Sequence, residues 1–316
     1  MTKAIHVRAP SRLHFGMFSF GHADRPQFGG VGAMVEPPAV EVTISPAAMF
    51  AARGAMAHRV TEFVDKLVRR WSLSTPACEI RVEAPRDHVG LGVGTQLGLA
   101  VAAGVRRFLS LPELELPELA IAVGRGARSA VGTYGFWCGG LIVDGGKEPG
   151  EQFGAFLKEA LPSDWRFVLT CSREKQGIAG EVEATAFTRL PPVPDKVAKE
   201  LRRIAFHEMT EAAAWKDCGA FGDALYRFGR LAGECFAAVQ GGPFASPEIE
   251  SLVALIRGWG VTGTGQSSWG PTVFAVVASD EEANALADRL RGANAAVDCE
   301  ITIARPNNRG AMIEEV

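Results

Sequence analysis

No stretch of this sequence reaches 18 uninterrupted apolar residues, and its first ten, MTKAIHVRAP, lack the apolar core of a signal peptide. Both absences argue against a membrane partner and lead us to expect a cytoplasmic protein. Cysteine is sparse: Cys78, Cys138, Cys171, Cys218, Cys235 and Cys299 are scattered, and no C-x-x-C pair occurs. That argues against a zinc cluster and for reduced thiols in apolar surroundings. An excess of charge is lacking too. The formal net charge of −3 makes no case for nucleic acid or an anionic membrane, so any anion site has to be a local basic pocket. Repeats and low-complexity tracts are also missing.

Lysine is the most informative absence. None lies between Lys66 and Lys147, yet this gap holds GLGVGTQLGLAVAAG, residues 90–104, a glycine-rich loop that runs into a helical pattern. Bare backbone N–H groups at a helix N-terminus suit an anion. Without a lysine the loop is not a Walker A motif. It is not a dinucleotide fingerprint either, because G-x-G-x-x-G would need glycine at Thr95 or at Leu97. Tight packing of the helix on a sheet is the plain alternative. Glycine costs about 1 kcal/mol per helical position relative to alanine, so the alternation points to a purpose, and Gly90, Leu91, Gly92, Gly94, Thr95 and Gln96 become candidate phosphate ligands.

The chain, 316 residues and 47% apolar, has ample core for one large domain or two ordinary ones. Segments 3–9, 40–45 and 78–84 read as strands, and 56–71 reads as a helix with a basic outer face. The helix after the glycine loop is expected to end near Leu109. Another is expected from Pro117 to about Gly126, then a strand at 138–143. A proline- and charge-rich stretch, 147–164, looks like a domain joint. Beyond it we expect a strand at 165–171, a loop, and helices over 195–214, 220–239 and 247–258. The tail reads as a strand at 272–278, a helix at 280–292 and a strand at 297–304. This is an α+β pattern and not a doubly wound parallel sheet. HEMTE, 207–211, lacks the second histidine of a zinc-protease motif and reads as helix surface.

Three stretches recur in an informative order: PSRLHFGMFSFGHADRPQFGGVGAM at 10–34, the central loop, and GVTGTGQSSWGP at 260–271. An AP-x-R strand end, a GLG-x-G-T loop and a G-x-T-G-x-G turn resemble the GHMP superfamily of small-molecule kinases. The resemblance implies two α+β domains, a ribosomal-S5-like one over 1–155 and a ferredoxin-like one over 156–316. The sequence departs from the kinases at their chemistry. Met17, Phe18 and Ser19 stand where the kinases continue towards G-E-H, and VGTQ replaces the central serines. RSAVGTYG, 128–135, puts Gly132 or Thr133 where the kinases carry the aspartate that deprotonates a hydroxyl. Neither can take a proton, and a hydroxyl kinase without its carboxylate is a poor catalyst.

SRLHFGMF…GGVGAM, GLGVGTQLGLAVA, GRGARSAVGTYGFWCGGLIVDGG and TGTGQSSWGPTVFAVV resemble a narrower family, the β-ribofuranosylaminobenzene 5′-phosphate synthases. That resemblance implies a decarboxylating pentosyl transfer in tetrahydromethanopterin biosynthesis. Phosphoribosyl pyrophosphate condenses with 4-aminobenzoate or 4-hydroxybenzoate, releasing pyrophosphate and carbon dioxide. It further implies a homodimer, magnesium carried with the pyrophosphate, and no organic cofactor.

The donor bears two phosphate groups, and a second cradle is available in Gly263, Gly265, Gln266, Ser267, Ser268 and Trp269. Arginines can grip phosphate with two prongs: Arg12 and Arg25 flank the first stretch, and Arg125 and Arg128 lie beside TYGFW. Arg12, His14 and Arg25 are the candidate catalytic residues. An ordinary strand-end arginine and a half-buried strand histidine are the plain readings of Arg12 and His14. Trp269 and TYGFW, 133–137, could stack on a flat acceptor, although Phe136 and Trp137, which precede a buried strand, read rather as core. Asp24 and Asp144 are the acidic residues nearest the motifs for a metal, and turn or cap roles suit them as well. An ATP-dependent GHMP-type kinase and a non-catalytic phosphate-binding scaffold are the competing functions.

Overall fold

The N-terminal alternation runs well past its expected end. In the computed structural model of the chain, which describes residues 3–316, β1 covers Ile5–Met17 and β2 covers Gly30–Pro46. The two pair antiparallel, with register shifts at Pro10/Ser11 and His14/Gly16. Pro10 faces Ala39 while Ser11 faces Val35, so Pro37 and Pro38 fall outside the ladder with β1. Proline cannot donate to a ladder, and this break lets two of them sit within a long strand.

β3 (Ala51–Gly54) leads into α1 (Ala57–Trp71), which buries Val60, Phe63, Val64 and Leu67 at helical spacing. β4 (Cys78–Glu83) pairs with β2 and β3. Next come α2 (Val93–Phe108), α3 (Leu116–Ala122) and α4 (Val131–Cys138), then β5 (Leu141–Asp144) and β6 (Phe156–Glu159). The strand expected at 138–143 starts later because Val131–Cys138 is helical, its entry bonded through the Ala130 N–H to Asp144 Oδ2 at 2.7 Å. α2 is apolar almost all round and lies against β1 and β2.

The second half contains β7 (Arg166–Ser172), α5 (Gly180–Arg189), α6 (Asp195–Arg203), a π-helical turn over Ile204–Met209 and α7 (Thr210–Ala214). It continues with α8 (Cys218–Glu234), α9 (Ala237–Gln240), α10 (Pro247–Gly258), β8 (Gly263–Gln266) and β9 (Val273–Val277). α11 (Asp280–Arg291), β10 (Cys299–Pro306) and β11 (Met312–Glu315) close the chain. α5 falls within the stretch read as loop. HEMTE lies across the π-helical turn and α7, with His207 exposed and Glu208 paired to Arg203 and Arg227.

The spatial order β10-β7-β9-β8, with helices after β7 and α11 after β9, is the ferredoxin-like arrangement. Among the described pairings β3–β4 alone is parallel, and the fold is the expected mixed α+β. One sheet of 11 strands runs through the molecule. β10 joins β2 through Arg305 with Glu36 and Pro306 with Val35, and β11 returns to β1. β6, just past the expected boundary at 155, pairs with β5. One apolar core joins Leu13, Phe15 and Phe18 of the first half to Phe221, Phe228 and Phe274 of the second.

Candidate active site

Arg12 and His14 are two residues apart on β1, so their side chains share one face, while Leu13 and Phe15 turn into the core. The strand serves as a spine for the other two motifs. Arg12 N–H donates to Leu91 O at 2.9 Å, His14 N–H donates to Ser267 Oγ at 3.0 Å, and Ser268 N–H donates to His14 O at 2.9 Å. Ser267 Oγ in turn donates to Gly90 O at 2.6 Å, and Thr272 Oγ1 to Val89 O at 2.6 Å. Three stretches far apart in sequence thus meet in one place.

The loop before α2 is left-handed at His88, Gly90 and Gly92, with φ of 59°, 86° and 69°. Ser268 opposite is also left-handed, at 57°. Such backbones cost non-glycine residues energy and concentrate at functional sites. Gly92 precedes the first turn of α2, and no side chain caps that end. The first-turn residues Val93, Gly94 and Thr95 line a cavity of about 400 Å³, so the positive end of the helix is open to a ligand. The volume is that of a small-molecule site.

Four arginines, Arg12, Arg59, Arg125 and Arg128, line the cavity against two carboxylates, Asp87 and Glu183. Arg59 pairs with Asp87 and Arg128 with Glu183. Arg12 differs: its Nε and Nη1 are buried without a hydrogen-bond partner, as is Nε of Arg125. Burial pushes the Arg12 guanidinium down to about 10, partly offset by Glu183. Arg125 falls to about 10 as well, through burial first and the neighbouring Arg59 next. Unpaired buried donors are costly and need an explanation, and an anion supplied by a ligand provides one.

An aromatic wall completes the cavity. Phe187 of α5, Phe236 and Trp269 contact one another edge to face, with ring centroids 5.0 Å apart for Phe236–Trp269 and 5.8 Å for Phe187–Phe236. Trp269 Nε1 donates to Glu183 at 3.1 Å, and the Arg128 guanidinium lies over Phe187 at 5.0 Å. TYGFW does not contribute: Tyr134 stacks on Phe156 at 3.9 Å, Phe136 is core, and Trp137 is 63% exposed. Helix α4 sets Tyr134 and Trp137 against Phe156 of β6.

Of the candidates, Arg12, His14, Gly90, Gly92, Gly94, Thr95, Gln266, Ser268 and Trp269 line the cavity together. Other candidates stand elsewhere. Leu91 and Ser267 are buried beneath the lining and serve as backbone and hydroxyl braces. Gln96 is buried and donates to Gly132 O at 2.8 Å. Gly263 and Gly265 lie within strand β8, behind the turn. Arg25 is a surface residue paired with Asp24 and Asp195, so neither it nor Asp24 reaches the cavity. Asp144 is buried and braces Ala130, Gly146 and Ser129. Arg59, Asp87, Glu183, Phe187 and Phe236 were not singled out from sequence. Of the two positions that could align with the kinase base, Gly132 is bare backbone, where a Cβ would stand 3.6 Å from Arg12 Nε, and Thr133 is buried.

The described residues include no group of three or more His, Cys, Asp or Glu side chains able to hold a metal. Both cavity carboxylates are also engaged by arginine. The chain's own described residues do not fit a magnesium cage.

Comparison with known proteins is decisive at this point. A β-ribofuranosylphenol 5′-phosphate synthase of Archaeoglobus fulgidus is 30% identical over 331 residues, covering 98% of this chain and 99% of the relative. The chain belongs to this family. A β-ribofuranosylphenol 5′-phosphate synthase of Methanothermobacter thermautotrophicus is 26% identical, covering 97% of this chain and 98% of its own. The family expected from sequence carries an aminobenzene in its name where these synthases carry a phenol. Residues 194–296 match the family described as GHMP kinases C terminal. Among solved structures, a homoserine kinase from Cytophaga hutchinsonii superposes with a TM-score of 0.67 at 14% identity, covering 99% of this chain and 98% of the kinase. Mevalonate diphosphate decarboxylase from Staphylococcus aureus gives 0.64 at 15% identity, covering 100% and 99%. Both establish the fold alone. No helix among the described residues is long and apolar enough to cross a membrane.

Proposed function

We propose that this synthase condenses phosphoribosyl pyrophosphate with 4-hydroxybenzoate or 4-aminobenzoate, giving a C-riboside 5′-phosphate, pyrophosphate and carbon dioxide. The observation that carries this reading is the Arg12 guanidinium, its Nε and Nη1 buried and unpaired beside the open N-terminus of α2. Arg12, Arg125 and the helix end bind the donor's phosphate oxygens, and the same groups take up charge that develops as pyrophosphate departs. Phe187, Phe236 and Trp269 hold the flat acceptor and keep water away. In such surroundings a carboxylate is destabilised relative to neutral carbon dioxide, which favours its loss. Magnesium enters this scheme only as a companion of the donor's pyrophosphate. The reading carries with it the first committed step of tetrahydromethanopterin synthesis, a cytoplasmic location and a homodimer.

The test is incubation with magnesium, phosphoribosyl pyrophosphate and carboxyl-labelled acceptor. Labelled carbon dioxide released only when both substrates are present supports the synthase. ATP consumed with a hydroxylated metabolite, and no carbon dioxide, would replace this reading with a kinase. Bare backbone at Gly132 weighs against that outcome, because no carboxylate stands at the kinase base position.

A further inference from the structure

His14 is held on both sides. Its backbone is bonded to Ser267 and Ser268, and its ring Nε2 lies 3.0 Å from Ser129 Oγ. Ser129 Oγ is also 3.4 Å from Asp144 Oδ2 and accepts the Val131 N–H at 3.3 Å. Asp144 already accepts N–H groups from Ala130 at 2.7 Å and Gly146 at 3.0 Å. A carboxylate has no proton to give, so the single hydroxyl proton of Ser129 points to Asp144. The Ser129 oxygen then has to accept from His14, which puts the imidazole hydrogen on Nε2. Nδ1 is left with a free lone pair. It has no partner among the described residues and is not fully enclosed, on a side chain that lines the cavity.

We propose that Nδ1 of His14 is the base that takes the proton from a ring hydroxyl para to the acceptor's carboxylate, with Ser129 and Asp144 as positioning residues. This rests on the synthase reading above. The step balances. As the O–H proton moves to Nδ1, the phenoxide's electrons flow to the ring carbon bearing the carboxylate. That carbon bonds to C1 of the ribose, and the C1–oxygen bond breaks with its electron pair leaving on pyrophosphate. The bond to the carboxylate then breaks, carbon dioxide leaves, and its electron pair restores the aromatic phenoxide. His14 returns the proton to that oxygen.

Charged surroundings keep the base ready. Burial and the neighbouring Arg12 hold His14 well below the ordinary histidine value. The other ionisable groups on the cavity are Arg59, Asp87, His88, Arg125, Arg128 and Glu183. Lys147 and Arg202 face Asp144 behind Ser129. With its folded value depressed, His14 is neutral above about pH 6.5, so the base is lost only on acidification below that range.

The experiment measures kcat and KM of wild type, His14→Ala and Ser129→Ala with 4-hydroxybenzoate and with 4-aminobenzoate across pH. At pH 7, His14→Ala is expected to lower kcat about a hundredfold with the hydroxy acid. The loss is expected to be far smaller with the amino acid, whose nitrogen lone pair needs no deprotonation. Raising the pH towards ionisation of the phenol restores the variant's rate with the hydroxy acid, while wild type stays flat. Ser129→Ala keeps the imidazole and shows the same acceptor bias in weaker form, which covers the case of a His14 variant that does not fold. Equal losses with both acceptors and no alkaline rescue, or no loss at all, overturn the proposal. A wild-type protein that makes no riboside from either acceptor overturns the synthase reading itself, and this proposal with it.

Discussion

Two glycine-rich stretches meet beneath the cavity, and they use glycine for opposite ends. In the first, Gly92 has a left-handed backbone beside Arg12 and delivers the open end of α2 to the cavity, with a Cβ there only 3.0 Å from Arg12 Nε. In the second, Gly263 is an ordinary strand residue whose Cβ would stand 2.4 Å from Val276 Cγ1 and 2.7 Å from Gly222 Cα. The first leaves room for a ligand and the second for a helix, since α8 lies directly on β8. The second stretch touches the cavity through Gln266, Ser268, Trp269 and Gly270, while Gly263 and Gly265 serve as buttress within β8. Glycine density in sequence therefore marks close approach without saying what approaches.

The largest expected effect comes from breaking the first stretch. Gly92→Val imposes left-handed strain of about 1–2 kcal/mol and crowds Arg12, and losing the proposed charge pair between Arg12 and the donor costs about 2–5 kcal/mol. We expect kcat/KM for the donor to fall by about 3 kcal/mol or more, with far-ultraviolet circular dichroism unchanged. Donor affinity equal to wild type would make this loop structural. Gly263→Val acts on the other side of the comparison. It should lower unfolding free energy by about 1–3 kcal/mol through overpacking, while the folded fraction binds donor as wild type does. A donor defect at full stability would return Gly263 to the phosphate site. The aromatic rings give the smallest contrast. Trp269→Ala is expected to raise the acceptor's KM by about 1 kcal/mol, whereas exposed Trp137→Ala changes it by less than about 0.5 kcal/mol. Equal effects would mean that the acceptor does not stack where the wall stands.

Much of the frame was legible because periodicity reports burial locally. Val60, Phe63, Val64 and Leu67 announce α1, and the order of motifs announces the family. What stayed hidden was tertiary. β2 escaped over 30–39 because GVGAMVEPPA carries two glycines and two prolines, and only the sheet around it shows where the prolines leave the ladder. α5 reads as loop from its charges and Gly180, yet it brings Glu183 and Phe187 to the cavity. Arg59 belongs by spacing to the basic outer face of α1, and only the fold brings it to Asp87. Arg12 and Arg25 look alike in sequence and differ in surroundings, one with Nε and Nη1 buried and unpaired, the other on the surface between Asp24 and Asp195.

On the proposed function, Arg12 keeps Nε and Nη1 buried and unpaired for a ligand anion, at a cost to the unliganded fold. Thermal unfolding of wild type and Arg12→Met, each with and without phosphoribosyl pyrophosphate, tests it most directly. Removing an unsatisfied buried cation while keeping apolar bulk should leave the unliganded variant as stable as wild type or about 1–2 kcal/mol more stable. The donor should then raise the melting temperature of wild type only. A variant that melts well below wild type without donor, or a donor-induced shift of equal size in both proteins, would contradict the account.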